Sequence, residues 1–320
     1  MSSYTPITLP YFAPAYMLPA SLPTLEQALS VTDYFTPPPY TAIYDEVNVV
    51  RVGEHFIAKY GKKVRSIEGE NMLFVQQHTT IPVPQVYAIY QFGEGETMII
   101  MEFIKGATLQ DHLGTVGLEK SNSVREKLRA QINELRRIPA PNYYGALGRR
   151  PFWDVYRGSE FGPFDSFDDC VMSNLDQLFG IKLAQPFIDI KKFFSASCVA
   201  ISTALEHNHP VFTHGDLHER NIIVRSDGTP VIIDYEVSGF YPSFYEAIVA
   251  GILDCEFDFL DEKFEEERAI IRDCHEAWID AEIEELGLGY ESEGDSSEGD
   301  SDEGDSSEGD SGEGDSDSSN

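Results

Sequence analysis

The sequence predicts an α+β protein, with a small strand-rich region followed by a larger and mainly helical one. Up to residue 104, apolar residues recur with the periods expected for elements in the order β-β-α-β-β. Beyond Gly106 the spacing becomes mainly helical. From Glu291 onward the chain repeats Ser-Glu-Gly-Asp-Ser units without an apolar residue, so this tail cannot bury surface to offset the entropy of ordering and is expected to be disordered.

The first elements are delimited by turn residues. Gly53-Glu54 indicates a tight hairpin, Ile81-Pro82-Val83-Pro84 ends a helix, and Gly93-Glu94-Gly95 joins two strands. The predicted strands are Val47–Val52, His55–Lys59, Gln85–Phe92 and Thr97–Phe103. The helix between them is Ser66–His78, with Ser66 as a possible N-cap and acids in its first turn. A Pro- and aromatic-rich leader, residues 1–42, precedes this region and holds a short helix near Leu25–Leu29.

The later elements are placed in the same way. Helices are predicted at Val124–Arg137, Pro186–Leu205, Tyr245–Leu253 and Lys263–Leu286, and strands at Pro210–Thr213, Ile222–Arg225 and Pro230–Asp234. The predicted division is therefore a leader at 1–42, a nucleotide-binding region at 43–104, a catalytic and acceptor-binding region at 105–290, and the acidic tail at 291–320.

Bulk properties exclude several classes of function. The net charge of −32 argues against nucleic acid as a partner, because a phosphate backbone requires a cationic face. No apolar run is long enough to cross a membrane, no signal peptide is evident, and four scattered cysteines are expected to be reduced. We therefore expect a cytoplasmic protein. The negative charge favours a cationic small molecule by steering, and plain solubility is the alternative explanation.

The most informative segment is His214-Gly215-Asp216, followed by Asn221, in a loop between a strand and a hairpin. Asp216 can accept or orient the proton of a hydroxyl group, and the amide oxygen of Asn221 can ligate Mg²⁺. His214 is interpreted as a packing and hydrogen-bonding anchor rather than as an acid or base. Phosphoryl transfer needs such a carboxylate, together with oxygen ligands for Mg²⁺ and a lysine on the nucleotide phosphates.

Two other segments supply the missing parts. Asp234 ends an apolar strand shortly after the loop and is a second candidate Mg²⁺ ligand. Lys59 ends a strand that leads directly into a helix, where an acid can hold its ammonium toward phosphates. Glu68 is the favoured partner of Lys59, and Glu70 is the competing one. Glu236 is left open between a polar contact and a structural role.

Together these segments resemble the aminoglycoside phosphotransferase family of the protein-kinase-like superfamily, especially its fungal members. The matching residues span roughly 45 to 280 and are Val52-Gly53, Lys59-Tyr60-Gly61, Glu68, Ile81-Pro82-Val83-Pro84, Met101-Glu102-Phe103, His214 to Asn221, Ile233-Asp234-Tyr235-Glu236 and Gly239-Phe240-Tyr241-Pro242, with Tyr245-Glu246 after it. One departure is that no glycine lies between Ser21 and Val52, so a Gly-rich phosphate loop does not precede Lys59. A second is Tyr235-Glu236, where protein kinases have Phe-Gly; this is usual in the resembled family.

The resemblance implies a two-lobe protein-kinase-like fold, with a small β-rich N-lobe and a larger mainly helical C-lobe. It implies ATP between the lobes, Lys59 on its phosphates, Asp216 as the catalytic base, and Mg²⁺ on Asn221 and Asp234. It also implies that the segment Met101–Ile104, here called the hinge, contacts adenine through backbone groups, with Met101 and Phe103 among the cofactor-binding residues.

The acceptor is expected to be a hydroxyl group on a small molecule. Tyr241-Pro242-Ser243 looks like a helix start soon after Asp234, which leaves little room for the peptide platform of a protein kinase. The aromatic- and acid-rich insert Tyr143–Asp169 is predicted either to cover the acceptor pocket or to belong to the core. A protein kinase and a catalytically inactive nucleotide-binding scaffold remain the alternatives, and the protein is expected to be a monomer.

Overall fold

A computed structural model of the chain describes residues 4–32, 47–115, 118–154, 159–170, 173, 209–246 and 269. The predicted helices Pro186–Leu205 and Lys263–Leu286, most of Tyr245–Leu253, and the acidic tail lie outside the described residues. Cys170 is a buried thiol outside any disulfide, as predicted, and the other three cysteines lie outside these ranges. Within the described part, no helix is long and apolar enough to cross a membrane.

A five-stranded antiparallel sheet forms the first region and confirms the predicted β-β-α-β-β order. Its strands are β1 (Tyr11–Phe12), β2 (Asn48–Val52), β3 (Phe56–Gly61), β4 (Val86–Phe92) and β5 (Glu96–Glu102), in the spatial order β1-β4-β5-β3-β2. Gly53 and Gly93 adopt positive φ values of 65° and 53°, which glycine tolerates without steric cost, at the turns that the sequence predicted. The strand limits differ from the predicted ones by one or two residues.

The leader contributes to this sheet. Its short helix α1 spans Leu25–Leu29 as predicted, and Thr24 and Gln27 form a capping box at its start. Strand β1 pairs with β4 through Tyr11 and Phe12, and this pairing was missed. Two residues are too few to show a strand period, so only the edge of β4, which offers unpaired backbone groups, makes this a strand.

Helix α2 spans Ser66–His78 as predicted and is buried on nearly all sides from Ile67 to Val75. Gly69 allows its close approach to β4, because a Cβ there would lie 2.5 Å from Cδ1 of Ile89. The N-cap prediction was wrong. Arg65 occupies the cap position without a side-chain cap bond, and the Ser66 hydroxyl instead donates to Glu70 Oε1 at 3.1 Å.

The second region contains small sheets and helices. Its elements are β6 (Gly106–Thr108), α3 (Leu109–Leu113), α4 (Leu118–Leu135), β7 (Phe152–Asp154), β8 (Ser159–Phe161), β9 (Pro210–Thr213), β10 (Ile222–Arg225), β11 (Pro230–Ile232) and β12 (Gly239–Pro242). Strands β11, β10 and β6 form one sheet, β12 pairs with β9, and β7 pairs with β8. The predicted α+β class is therefore correct for the described residues.

Three predicted elements need correction here. Helix α4 begins six residues before Val124, and β11 ends at Ile232 rather than at Asp234. The predicted helix start at Tyr241-Pro242-Ser243 lies too early, because Gly239–Pro242 is strand β12 and the helical residues begin at Tyr245, as predicted for the helix Tyr245–Leu253. Its backbone pairs with Pro210–Thr213, whose residues lie 26 to 32 positions earlier in the chain, and no local pattern reveals this partner.

Most aromatic residues of the insert belong to the core. Phe152 is 1% exposed and stacks on Tyr241 with ring centroids 4.0 Å apart, and Phe161 packs on Phe152 at 5.1 Å. Phe164 and Phe167 border the same aromatic cluster. Trp153 differs, because its ring lies 4.5 Å from the guanidinium of Arg65. Of the two interpretations of the insert, the structure favours core for these phenylalanines.

Asn71 connects helix α2 to the second region. Its side chain is fully buried, and Nδ2 donates to the carbonyl oxygens of Tyr235 at 2.7 Å and Ser238 at 3.2 Å. These two carbonyls belong to the turn between Asp234 and β12. Since unsatisfied buried carbonyls are costly, Asn71 fixes the helix and this turn relative to each other.

We expect Asn71→Ala to lower the free energy of unfolding by about 2–4 kcal/mol, because two buried carbonyls lose their donor. Denaturation in urea measures this change. Gln77→Ala is the matched control, since Gln77 is an exposed amide on the same helix and should change stability by less than about 0.5 kcal/mol. Equal effects for the two variants would contradict this role of Asn71.

Candidate active site

Lys59 is buried at the centre of a cluster of three acids, of which Glu68 is buried and Asp234 and Glu236 are partly exposed. It stands on β3 with its side chain 8% exposed, and Nζ lies 2.7 Å from Glu68 Oε2, 3.0 Å from Asp234 Oδ1 and 3.7 Å from Glu236 Oε2. The predicted pairing of Lys59 with Glu68 is confirmed. The structure also assigns Glu236 a contact with Lys59, which the sequence had left open.

The cluster holds three acids and only one base, which shifts the pKa values of its members. Burial alone would lower the pKa of Lys59, but Asp234, Glu68 and Glu236 together raise it well above its ordinary value. Burial raises the pKa of Glu68 to about 8, and Asp234 and Glu236 add to this while Lys59 opposes it. Ionisation of all three acids around one ammonium would leave a local negative charge, and this repulsion is one cause of the raised pKa of Glu68; an additional cation would offset it.

Glu70, the competing partner, points elsewhere. Arg150 binds its carboxylate through two contacts, Nη1 to Oε1 at 3.1 Å and Nη2 to Oε2 at 2.9 Å. The hydroxyl of Tyr4 donates to Oε2 at 2.5 Å. Glu68 and Glu70 are two residues apart, so on a helix of 3.6 residues per turn they project about 200° apart and serve different faces. This spacing explains why only Glu68 reaches Lys59.

The loop after β9 holds Asp216 by a local network. Asn221 Nδ2 donates to the backbone oxygen of Asp216 at 2.9 Å and to its Oδ2 at 3.0 Å. His218 Nε2 lies 3.6 Å from the same Oδ2, and 39% of the Asp216 side chain is exposed. Gly215 adopts φ +86°, which a residue with a side chain rarely adopts. The carboxylate is thus oriented by the protein and still reachable from outside.

His214 anchors this loop, as the sequence predicted. Its Nδ1 accepts from the Asp216 backbone N–H at 3.3 Å, so the other ring nitrogen, Nε2, carries the proton and donates to the Ile233 oxygen at 2.9 Å. The ring also packs edge-on against Tyr235 with centroids 4.8 Å apart. Both ring nitrogens are used for structure, which argues against His214 as an acid or base.

Glu246 holds the loop through backbone hydrogen bonds and was not predicted as a site residue. Its Oε2 accepts from the His214 N–H at 2.7 Å, and its Oε1 accepts from the Gly215 N–H at 3.2 Å. The residue is 2% exposed, and burial raises the pKa of its carboxyl above the ordinary value. No sequence period indicates this contact, because Glu246 lies 32 residues from His214 and reaches it only through the tertiary fold.

Asp234 and Asn221 each keep an oxygen that can bind a metal. Asp234 adopts φ +65° just beyond β11, and Lys59 contacts only its Oδ1. Burial raises the pKa of Asp234, but Lys59 outweighs this and lowers it, so the group is ionised at neutral pH. Asn221 donates from Nδ2 to Asp216, which leaves its Oδ1 available as a metal ligand. The Ile233 N–H donates to the backbone carbonyl oxygen of Asn221 at 2.9 Å. Asn221 and Asp234 therefore lie at the same end of the β10–β11 hairpin.

A second set of oxygens could in principle hold a metal. Among the described residues, Glu68, Asp234 and Glu236 each offer an oxygen within 4.8 Å of the others. The Lys59 ammonium already lies among these three oxygens at 2.7 to 3.7 Å. A divalent cation there would have to displace it, so Asn221 and Asp234 fit a metal better, with oxygen donors of the kind that Mg²⁺ prefers.

The hinge is firmly held at its first residues. The Glu102 N–H donates to the Gln85 oxygen and the Phe103 N–H donates to the His55 oxygen, both at 2.8 Å. Met101 is 8% exposed and lies within β5. Within the described part of the chain, the Ile104 N–H has no hydrogen-bond partner. The backbone N–H groups of Glu102 and Phe103 are therefore already hydrogen-bonded, and the N–H of Ile104 is the next backbone donor along the hinge.

Most residues of this site lie within a segment that matches a known protein family. A model of the phosphotransferase enzyme family matches residues 60–278, a span that includes Glu68, Asp216, Asn221 and Asp234. The chain belongs to this family. The resemblance seen in the sequence is thereby confirmed at the level of the family, whereas its fungal character stays a prediction. Comparison with curated protein sequences gave no significant match.

Several solved structures are similar to this chain. Aminoglycoside phosphotransferase APH(4)-Ia is 15% identical over 82% of each chain, with a TM-score of 0.49. ADP-bound APH(2'')-Ib is 16% identical over 78% of this chain and 85% of its own, with a TM-score of 0.45. The GDP and kanamycin complex of APH(2")-IIIa is 14% identical over 82% and 95%, with a TM-score of 0.46.

The raised pKa of Glu246 predicts how the stability of the fold changes with pH. A carboxyl whose pKa is raised on folding binds its proton more tightly in the folded state, so its contribution to stability is greatest below the unfolded value and falls as pH rises toward the folded value. We therefore expect the stability of the wild type relative to Glu246→Gln to fall as pH rises above 4.5, the ordinary pKa of a glutamate. Urea unfolding across that pH range measures this difference.

The opposite slope would contradict the assignment. If the wild type gains stability over Glu246→Gln as pH rises, the two backbone N–H donors outweigh burial, and the pKa of Glu246 is lowered rather than raised.

Proposed function

We propose that this protein is an ATP-dependent kinase that transfers the γ-phosphate of ATP to a hydroxyl group of a small molecule. The observation that carries this is the position of Lys59, whose ammonium contacts Glu68 on one side and Asp234 on the other. Phosphoryl transfer depends on such a cation held by an acid, and on a carboxylate near the acceptor, which Asp216 supplies.

For nucleotide binding, Lys59 is proposed to contact the phosphates. The hinge is proposed to bind adenine through backbone groups, and the free N–H of Ile104 is the donor best suited to it. Met101 and Phe103 would line this position, with the Phe103 ring held under the Arg51 guanidinium at 4.1 Å. These assignments correspond to a two-lobe kinase arrangement, with the five-stranded sheet as the N-lobe and the second region as the C-lobe.

For the metal, Asn221 Oδ1 and Asp234 Oδ2 are proposed to hold Mg²⁺. The surplus of acids around Lys59 supports a divalent cation here, because one ammonium cannot offset the charge of all three acids when they are ionised. Bound Mg²⁺ would supply positive charge to the phosphates. Asn221 also donates to the carboxylate of Asp216 and so fixes its orientation. The proposed metal ligand and the proposed acceptor-binding carboxylate are therefore held next to each other.

For the acceptor, a small molecule is favoured over a protein. Only Tyr235–Ser238 separate Asp234 from β12, and Asn71 binds both ends of this turn. The chain then returns into the sheet with β9, so this stretch lacks a long segment on which a peptide would lie. These contacts support the expectation of a short segment after Asp234, and the helix begins at Tyr245, a few residues later than the predicted start. A cationic acceptor remains the expectation from charge, and Asp216 would accept or orient its hydroxyl proton.

The alternative is a catalytically inactive nucleotide-binding protein. Against it stand Lys59, Glu68, Asp216, Asn221 and Asp234, all present and mutually arranged, whereas a scaffold has no need to keep them. Nucleotide binding without turnover of ATP or GTP, across amino sugars, amino alcohols and other hydroxylated compounds, would favour this alternative. The proposal also includes a cytoplasmic monomer that uses neither nucleic acid nor membranes.

Asp216→Asn should lower kcat by roughly 10²–10⁴-fold, because the carboxylate that accepts the hydroxyl proton is lost, while affinity for Mg-ATP stays within about threefold of the wild type. Steady-state kinetics with an identified acceptor measure this. Asp227→Asn is the matched control, since Asp227 lies in the exposed β10–β11 turn, and it should leave kcat unchanged. An unchanged kcat in Asp216→Asn would contradict the proposed role.

The two possible metal sets make different predictions. If Asn221 and Asp234 hold Mg²⁺, Asn221→Ala should raise the Mg²⁺ concentration for half-maximal rate about tenfold or more, in line with the effect of lost ligands. Glu236→Gln should leave that concentration nearly unchanged. Titration of activity with Mg²⁺ at saturating ATP compares them. The reverse order would place the ion among Glu68, Asp234 and Glu236 instead.

A further inference from the structure

Helix α2 makes polar contacts on two opposite sides, and the contacts on only one side belong to the proposed active site. On one side Glu68 contacts Lys59 at 2.7 Å. On the other, the Glu70 carboxylate is 7% exposed and is bound by Arg150, Tyr4 and Ser66. The proposed phosphoryl transfer requires no contact with Glu70, so this second network needs a separate explanation.

Tyr4 connects Glu70 to the N-terminal segment. Its hydroxyl donates to Glu70 Oε2 at 2.5 Å, and its ring lies edge-on to Phe74, one turn further along α2, with centroids 6.0 Å apart. Gly148 approaches the same ring closely, since a Cβ there would lie 3.2 Å from Tyr4 Cε1. Tyr4 therefore touches α2 and the segment that carries Arg150 at the same time.

The N-terminal segment is also attached at its other end. Tyr11 and Phe12 pair with Ile89 and Ala88 of β4, and the Ala13 N–H donates to the Tyr87 oxygen at 2.8 Å. We call residues 4–12 the strap, because they run from the sheet edge to the buried face of α2. Burial, which is the largest cause, and Glu70 both raise the pKa of Tyr4, so its hydroxyl stays protonated and remains a donor.

A helix held on opposite sides has a defined rotation about its axis. Because Glu68 and Glu70 project about 200° apart, a rotation that loosens one contact also disturbs the other. In kinases, the lysine–glutamate pair between a strand and such a helix must be in place for activity, and the position of the helix controls it. The Glu70 network thus has a direct mechanical connection to the Lys59–Glu68 pair.

We propose that the strap is a positioning element, in which the Tyr4 hydroxyl, through Glu70 and Arg150, sets the rotation of α2 that presents Glu68 to Lys59. The inference rests on the proposed function for its effect on nucleotide binding. Tyr4 is a positioning residue here and has no contact with the proposed reacting groups. The active site would then depend on a segment that ends more than thirty residues before β2, the next strand of the sheet along the chain.

The test compares Tyr4→Phe, which keeps the ring and removes the hydroxyl, with Tyr16→Phe, an 87% exposed tyrosine of the same leader. We expect Tyr4→Phe to raise the Kd for Mg-ATP about three- to tenfold, and Tyr16→Phe to leave it unchanged. The Tyr4→Phe change is then repeated in a Glu68→Gln background. There the Lys59–Glu68 pair is already weakened, so the effect of Tyr4→Phe on Kd should vanish while its effect on thermal stability persists.

This cycle separates positioning from mere stability. A purely structural Tyr4 would produce the same Kd change in both backgrounds, or none in either, and either result overturns the proposal. Amide hydrogen exchange without nucleotide gives an independent readout. Exchange in α2, residues 66–78, should be faster in Tyr4→Phe than in Tyr16→Phe, and equal rates would also overturn it.

The outcomes also distinguish this inference from the proposed function. If the wild type binds Mg-ATP and Tyr4→Phe behaves like Tyr16→Phe, the strap proposal fails and the kinase proposal stands. If the wild type binds neither ATP nor GTP, the kinase proposal fails. Hydrogen exchange in α2 still decides whether the strap holds the helix.

Discussion

The burial of one ammonium among three carboxylates is the interaction on which the rest of this structure depends. Lys59 comes from the first sheet, Glu68 from the helix behind it, and Asp234 and Glu236 from the turn after β11. Removing an ion from water is costly unless it is paired, so these segments must meet where the charges are satisfied. The pairing therefore joins three separate parts of the chain at one point.

Helix α2 transmits this constraint through the fold. Glu68, Glu70 and Asn71 are nearly consecutive, and yet they face Lys59, Arg150 and the turn after Asp234, respectively. Helical geometry spreads neighbouring residues around the axis, so one short polar stretch can serve three partners. This explains why α2 is buried on nearly all sides and still carries three polar groups, each of them hydrogen-bonded or ion-paired.

The loop around Asp216 shows how backbone groups are used to orient a side chain. Glu246 takes up two N–H groups, His214 takes up a third, and Asn221 binds the carboxylate itself. The loop is thereby held at several points while Asp216 remains partly exposed. The same turn that carries Asp234 runs into β12, so the positions of the acceptor-side and phosphate-side carboxylates are set by one connected set of hydrogen bonds.

The sequence alone was sufficient for the local elements and for the identity of the chemical groups. Strand and helix periods located four of the five strands of the first sheet and α2 to within a residue or two, and the spacing of His214, Asp216 and Asn221 indicated phosphoryl transfer. Only the tertiary structure decided between Glu68 and Glu70, revealed Glu246 and Tyr4 as supports, and made Gly239–Pro242 a strand. Each of these depends on contacts between residues far apart in the chain, and local periodicity carries no information about such contacts.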